Sequence, residues 1–295
     1  MSQFTVRKPL YTLESDVILS DATAMQIQEC LAKLKYHKQM YHGWNFKSVD
    51  PLGMGTILNF YGPPGTGKTM AAEAFAGTLG LDLIHLGSVD VESKFMGETA
   101  KNIRSAFDYA SDTGAVIFFD EADTLLGKRL SSVTQGVDNE VNAMRSTLLI
   151  ELERFEGVAI FATNFAKNYD VAFLSRISHH IRFDLPDKTS REGIWRRMLV
   201  PDIPLDRERE SFIAMCANAS DGLSGREIRN AIRLALPKAL MRESGKEGAF
   251  LTVADVTSAI GQINSSYEDI EISSGSLVET KNHKIVKGML GIDEG

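Results

Sequence analysis

Gly62, Gly67, Lys68 and Thr69 stand at the spacing G-x-x-x-x-G-K-[ST], that of a loop built to hold a polyphosphate. The apolar stretch Leu58-Asn59-Phe60-Tyr61 precedes it and Met70-Ala71-Ala72-Glu73-Ala74 comes after it, so the context is strand, loop, helix. Glycines let backbone N–H groups turn inward around an anion, and the next helix offers it the positive end of its dipole. Gly62, Pro63, Pro64, Gly65, Thr66, Gly67, Lys68, Thr69 and Met70 are therefore the candidate nucleotide cradle. Lys68 would reach the β- and γ-phosphates of ATP. The Thr69 hydroxyl would take one Mg²⁺ position, since that ion keeps most of its waters and uses few protein ligands.

A second set of groups stands at Val116-Ile117-Phe118-Phe119-Asp120-Glu121. Four apolar residues make a buried strand that ends in two carboxylates, which places both at the carboxyl edge of a sheet, where the phosphate loop also opens. Asp120 suits nucleotide-bound Mg²⁺, giving Thr69 and Asp120 as the metal pair. Glu121 is left to orient and deprotonate an attacking water. The strand Val158-Ala159-Ile160-Phe161-Ala162-Thr163 delivers Asn164 to the same edge, where a neutral amide holds water or γ-phosphate without adding negative charge.

These residues need a scaffold that brings strand ends together. From Thr56 onward apolar strand patterns alternate with helical ones, the signature of a parallel sheet covered on both faces. The expected strands are 56–61, 81–86, 115–120, 158–162 and 180–185. The expected helices are 68–78, 98–109 and 139–154, with a short one near Ala172. After Asp187 only helical periodicity remains, in 190–199, 208–217, 225–242 and 253–263. The fold class expected is α/β, a five-stranded parallel sheet followed by a small all-helical lid. The expected divisions are 1–50 (N-terminal helix and linker), 51–187 (the α/β domain), 188–264 (the helical lid) and 265–295 (a weakly structured tail). Within the first of these, Ser20-Asp21 caps a helix over 21–40 carried by Ala24, Ile27, Cys30, Leu31 and Leu34. Trp44 and Phe46 read either as a packed connector or as a surface that contacts adenine.

Bulk properties restrict the function classes. A net charge of −7 argues against a general binder of nucleic acid or anionic membrane. Cys30 and Cys216 are far apart with no CxxC, which suits a reducing compartment and buried thiols. No window has the length of a membrane span and the first residues lack a signal-peptide pattern, so a cytoplasmic protein is expected.

Gly62–Thr69, Asp120-Glu121, Ala162-Thr163-Asn164, Asp170-Val171-Ala172-Phe173-Leu174-Ser175-Arg176 and Gly222-Leu223-Ser224-Gly225-Arg226 occur in the order seen in AAA+ ATPases, which the chain resembles from about Ser20 to Asn264. The resemblance implies ATP hydrolysis by a homo-hexameric ring that remodels protein. It makes Asn164 the first sensor, Arg176 the arginine finger acting on a neighbouring subunit's γ-phosphate, and Arg226 the second sensor. Many members carry a second arginine soon after the finger, where this chain has Ser178-His179-His180; a histidine near its ordinary pKa of about 6.5 is partly charged at neutral pH. Lys94, Phe95 and Met96 before Gly97 are similar to the first pore loop of substrate-threading rings, an aromatic and a thioether that grip polypeptide without sequence preference. Lys128 to Gly136 would be the second pore loop. Asp170–Arg176 and Gly222–Arg226 look closest to the HORMA-domain-remodelling ATPases of the pachytene-checkpoint type, including bacterial members in anti-phage signalling operons. The partner implied is a protein, with a HORMA-domain protein as the narrower expectation, and with no membrane and no nucleic acid. The same motifs also fit other single-ring AAA+ chaperones or disaggregases, and two other classes share the fold. A nucleic-acid motor or clamp loader is opposed by the net charge and the aromatic loop, and a nucleotide-gated scaffold is opposed by Glu121, a base it would not need.

Overall fold

The computed structural model describes residues 4–50, 55–87, 98–126, 136–164, 169–242, 249–267 and 269. The chain divides into two compact units, Met1–Pro186 and Asp187–Gly295. The first holds β1 (Thr5–Arg7), α1 (Leu13–Asp16), α2 (Asp21–Lys35), β2 (Thr56–Tyr61), α3 (Lys68–Leu79), β3 (Leu83–Leu86) and α4 (Glu98–Thr113). It continues with β4 (Val116–Phe119), α5 (Asp123–Leu126), α6 (Gly136–Arg154), β5 (Val158–Thr163), α7 (Val171–Leu174) and β6 (His179–Arg182).

The strands form one sheet in the order β1-β3-β4-β5-β2-β6. Pairing is parallel from β3 through β6, as the alternation of strand and helix demands, because each parallel return needs a crossover. The pleat sends alternate residues to opposite faces. Ile57, Ala159 and Phe161 join Ile103, Phe107, Leu148 and Leu152 of α4 and α6 on one side. Leu58, Phe60, Ile160 and Ala162 join Ile27 and Cys30 of α2 and Ala72, Phe75 and Ala76 of α3 on the other. Phe119 stacks on Phe161 with centroids 4.7 Å apart, so the two strands that end in candidate polar residues are locked together just below those ends.

Three features depart from the expectations. A sixth strand, β1, pairs antiparallel with β3 and extends the five parallel strands. At three residues it is too short to stand out as a pattern, and the segment just after it is anchored on α3. Leu10 N donates to the Glu73 carboxylate and Leu13 N to the Thr78 hydroxyl, and a Cβ on Gly77 would lie 2.1 Å from the Tyr11 carbonyl oxygen. The helix expected over 21–40 stops at Lys35 and is succeeded by a π-helical turn, Gln39–Gly43, whose wider winding buries Tyr41 against His37. Trp44 is 72% exposed, against the packed-connector reading, whereas Phe46, 44% exposed, packs edge-on against the buried Tyr41 with centroids 5.6 Å apart. The intervening Asn45, in the left-handed region at φ 59°, turns the chain between them.

The second unit contains α8 (Lys188–Met198), α9 (Arg209–Ala219), α10 (Gly225–Arg242) and a helix over 253–267, three residues beyond the expected end of the helical region at 264. Trp195 is fully buried at its centre and donates its indole N–H to Ser220 Oγ at 2.9 Å, so its one polar atom is satisfied. Cys30 and Cys216 are free and buried, and burial pushes both thiols up to about 12. Among the described residues no helix is long and apolar enough to cross a membrane.

Candidate functional site

β2, β5 and β4 are neighbours, so the loops leaving their carboxyl ends meet at one edge of the sheet. The loop after β2 runs from Gly62 to Gly67, with Gly62, Gly65 and Gly67 at φ 144°, 78° and 96°. Gly62 has no alternative: besides its positive φ, a Cβ there would sit 2.0 Å from the Phe183 carbonyl oxygen. Thr66 Oγ1 donates to the Pro63 carbonyl and tightens the turn. Gly67 caps α3, so the first helical N–H groups face the loop's interior. Lys68 is buried, with Nζ donating at 2.8 Å to both the Gly62 and Pro63 carbonyls. These two bonds tie the end of the Lys68 side chain to the loop that would hold an anion. Met70 is half-buried in the first turn of α3.

Thr69 Oγ1 donates to Asp120 Oδ2 at 3.1 Å, joining the loop to the end of β4. Burial works to raise the Asp120 pKa, but hydrogen bonds from His85, Thr69 and the Glu121 N–H outweigh it and hold the carboxyl below its usual range. The hydroxyl and the ionised carboxylate are oxygen donors of the kind Mg²⁺ takes, and their spacing allows both to serve one ion. Glu121 is exposed and stands at φ 52°, a left-handed position for a residue with a Cβ. The next residue restores the sheet: Ala122 N donates to the Ala162 carbonyl at 2.9 Å. Such backbone conformations cost about 1–3 kcal/mol and persist where the surroundings impose them. Here the constraint comes from Asp120 Oδ1, which accepts the Glu121 N–H, together with the Ala122 bond.

Asn164 lies half-buried just past β5, its N–H directed at Asp123 Oδ2 at 3.4 Å. The loop residues, Asp120, Glu121 and Asn164 thus share one edge. Two residues there were missed by sequence reasoning. His85 brings Nε2 to 3.7 Å from Asp120 Oδ2, and Asp123 tethers Asn164. His85 becomes visible only through register: it pairs with Phe118, two residues before Asp120.

Arg176 is placed by the turn after α7. Its Nη2 pairs with Glu153 at 2.9 Å and its Nη1 donates to the Ala172 carbonyl. His179 and His180, expected to be partly charged, are residues of β6, and the cause of the difference is desolvation. Burial lowers the pKa of His179, helped by the charge of Lys33. Partial burial also lowers that of His180, although one side of it reaches solvent. Both rings are therefore mainly neutral at neutral pH. Arg226 lies in the second unit, exposed in the first turn of α10, where Ser224 and Glu227 form a capping box: Ser224 N donates to Glu227 Oε2 at 2.7 Å and Glu227 N to Ser224 Oγ. Lys94, Phe95 and Met96 lie outside the described residues, as do positions 128–135 of the second candidate pore loop.

Comparison with known proteins agrees with this geometry. Residues 58–185 match the model of the ATPase family associated with various cellular activities (AAA). The chain is 32% identical over 213 residues to the ATPase family AAA domain-containing protein FIGL1 of Arabidopsis thaliana, covering 70% of this chain and 30% of that protein. It is 33% identical over 183 residues to the 26S proteasome subunit RPT4 of Saccharomyces cerevisiae, covering 60% of this chain and 40% of that one. It thus spans well under half the length of these two relatives. The crystal structure of the FIGL-1 AAA domain superposes with a TM-score of 0.68 over 87% of this chain and 84% of that one, at 22% identity, a likeness of fold. Lys68 in its loop, the Thr69–Asp120 contact and the family match over the same strands together make residues 58–185 of this chain an AAA ATPase domain.

Proposed function

We propose that the chain hydrolyses ATP at this edge and, as a homo-hexameric ring, couples turnover to remodelling of a protein drawn through its central pore. The observation that carries the reading is the contact of the Thr69 hydroxyl with Asp120, 3.1 Å, beside an exposed Glu121 and behind a loop that holds Lys68. A cradle with a metal pair suits a nucleotide triphosphate, and a carboxylate left over beyond the metal pair suits hydrolysis rather than binding alone. Thr69 and Asp120 would hold Mg²⁺, which when bound neutralises charge on the phosphate oxygens. Lys68 and the loop N–H groups bind and orient the phosphates. Glu121 takes the proton of the attacking water, and Asn164 holds that water in line. Arg176 serves the neighbouring subunit's site, and Arg226 senses the nucleotide, both on the strength of the family resemblance. The relative named as a proteasome subunit favours work on protein. The narrower role, on a HORMA-domain partner in an anti-phage system of the cytoplasm, is supported by the resemblance of Asp170–Arg176 and Gly222–Arg226.

Trapping tests the substrate class. Glu121→Gln rings loaded with ATP should retain a captured protein through purification, and the captured species identifies the partner. Capture of DNA together with a DNA-stimulated ATPase rate would replace the reading with that of a nucleic-acid motor. Phe95→Ala tests the coupling. Basal hydrolysis should stay within about threefold while remodelling of the trapped protein is abolished, because the truncation removes a grip on polypeptide and leaves the phosphate chemistry intact. If Phe95 were a core residue, the same change would cost about 3–5 kcal/mol, and melting temperature, assembly and ATPase rate would fall together.

A further inference from the structure

Beneath the proposed water-holding Asn164 and the turn that carries Arg176 lies a chain of polar side chains that no step above uses. Thr163, the residue before Asn164, is 1% exposed, and its Oγ1 is 2.5 Å from the Tyr169 hydroxyl. Asn59, fully buried in the middle of β2, donates from Nδ2 to the Tyr169 hydroxyl and approaches His180 Nδ1, each at 3.2 Å. Tyr169 directly precedes Asp170, whose carboxylate caps α7 by accepting the Ala172 N–H, and α7 leads into the turn that carries Arg176. An amide nitrogen only donates, so the Tyr169 hydroxyl accepts from Asn59, while between the Tyr169 and Thr163 hydroxyls either can be the donor. For the same reason His180 Nδ1 accepts from Asn59 Nδ2 where the two are bonded.

Placing an asparagine on the strand that feeds the phosphate loop has a cost. Asn59 Oδ1 is buried with no hydrogen-bond partner among the described residues, and a leucine would fill the position without it. Pairwise, the chain joins β5, the segment before α7, β2 and β6, all four of the parts that carry Asn164, Arg176 and the loop. A hydrogen bond is either made or broken, so a chain of them can carry a two-state change from one site to the next.

We propose that Thr163, Tyr169, Asn59 and His180 form a positioning network that sets the turn bearing Arg176 according to the state of the β5 end at Asn164. This rests on the roles proposed above for Asn164 and Arg176. The test uses the full chain, with affinity read by a fluorescent ATP analogue, kcat by phosphate release, and melting temperature. In Tyr169→Phe, nucleotide affinity should remain within about threefold while kcat falls about tenfold or more, a split that lost packing does not produce. The second variant, Asn59→Leu combined with Tyr169→Phe, replaces the polar partners with apolar ones and should recover the wild-type melting temperature while kcat stays low. Wild-type kcat in Tyr169→Phe, or recovery of kcat along with melting temperature in the double variant, overturns the proposal. Failure of both variants to fold assigns the network to stability and overturns it too. Arg176→Ala separates the levels. Normal turnover in that variant means the finger reading has failed, whereas stalled turnover there beside normal turnover in Tyr169→Phe means only the network has.

Discussion

Glu121→Gln binds ATP with near wild-type affinity and loses hydrolysis by about 10²-fold or more, the range that a positioned general base supplies. The substitution keeps the size and hydrogen-bonding reach of the side chain and removes only its capacity to accept the water's proton. The bonds of Lys68 to the Gly62 and Pro63 carbonyls and of Thr69 to Asp120 do not use the Glu121 side chain, so the exchange leaves them in place. The backbone at Glu121 is held by Asp120 Oδ1 and by the Ala122 N–H on β5, so the left-handed conformation survives the exchange. Affinity and turnover must be measured on the same preparation. Near wild-type turnover would assign the base to another group. A parallel loss of affinity would instead place Glu121 in the binding of nucleotide.

Arg176→Ala stops turnover by about 10³-fold or more while each chain still binds ATP, if the guanidinium acts across a subunit boundary. In the isolated chain Arg176 is engaged by Glu153, with side chains 28% and 49% exposed. A pair so open to water contributes about 0–1 kcal/mol, far less than the gain from neutralising a transferring phosphoryl group, so the contact does not hold the arginine back. Mixing Arg176→Ala with Glu121→Gln chains is the decisive arrangement. Some interfaces then join an intact Glu121 to an intact Arg176, and activity returns in part. With mixed rings confirmed by mass, a mixture no more active than either variant alone would count against action in trans. Neutral His179 and His180 make the loss deeper, since neither supplies a substitute charge at neutral pH.

The candidate phosphate loop, the two carboxylates and the strand leading to Asn164 were legible in the amino-acid order, because each belongs to a contiguous run whose spacing matches its chemistry. That order also determined the parallel sheet, since strand and helix periodicities alternate and parallel returns need crossovers. Local chemistry could not set what depends on neighbours distant in the chain. β1 is only three residues and is a strand because β3 presents an unpaired edge to it. The helix expected through residue 40 ends at Lys35, and Trp44 turns outward, because the π-helical turn gives the buried place to Tyr41. The charge of His179 was decided by its desolvation and by Lys33, more than a hundred residues away. His85 reaches Asp120 through strand register, and Asn59 meets Tyr169 and His180 through the order of strands. Register and strand order depend on which apolar faces are buried together over the whole sheet, a property of no single segment, and only the tertiary structure decided them.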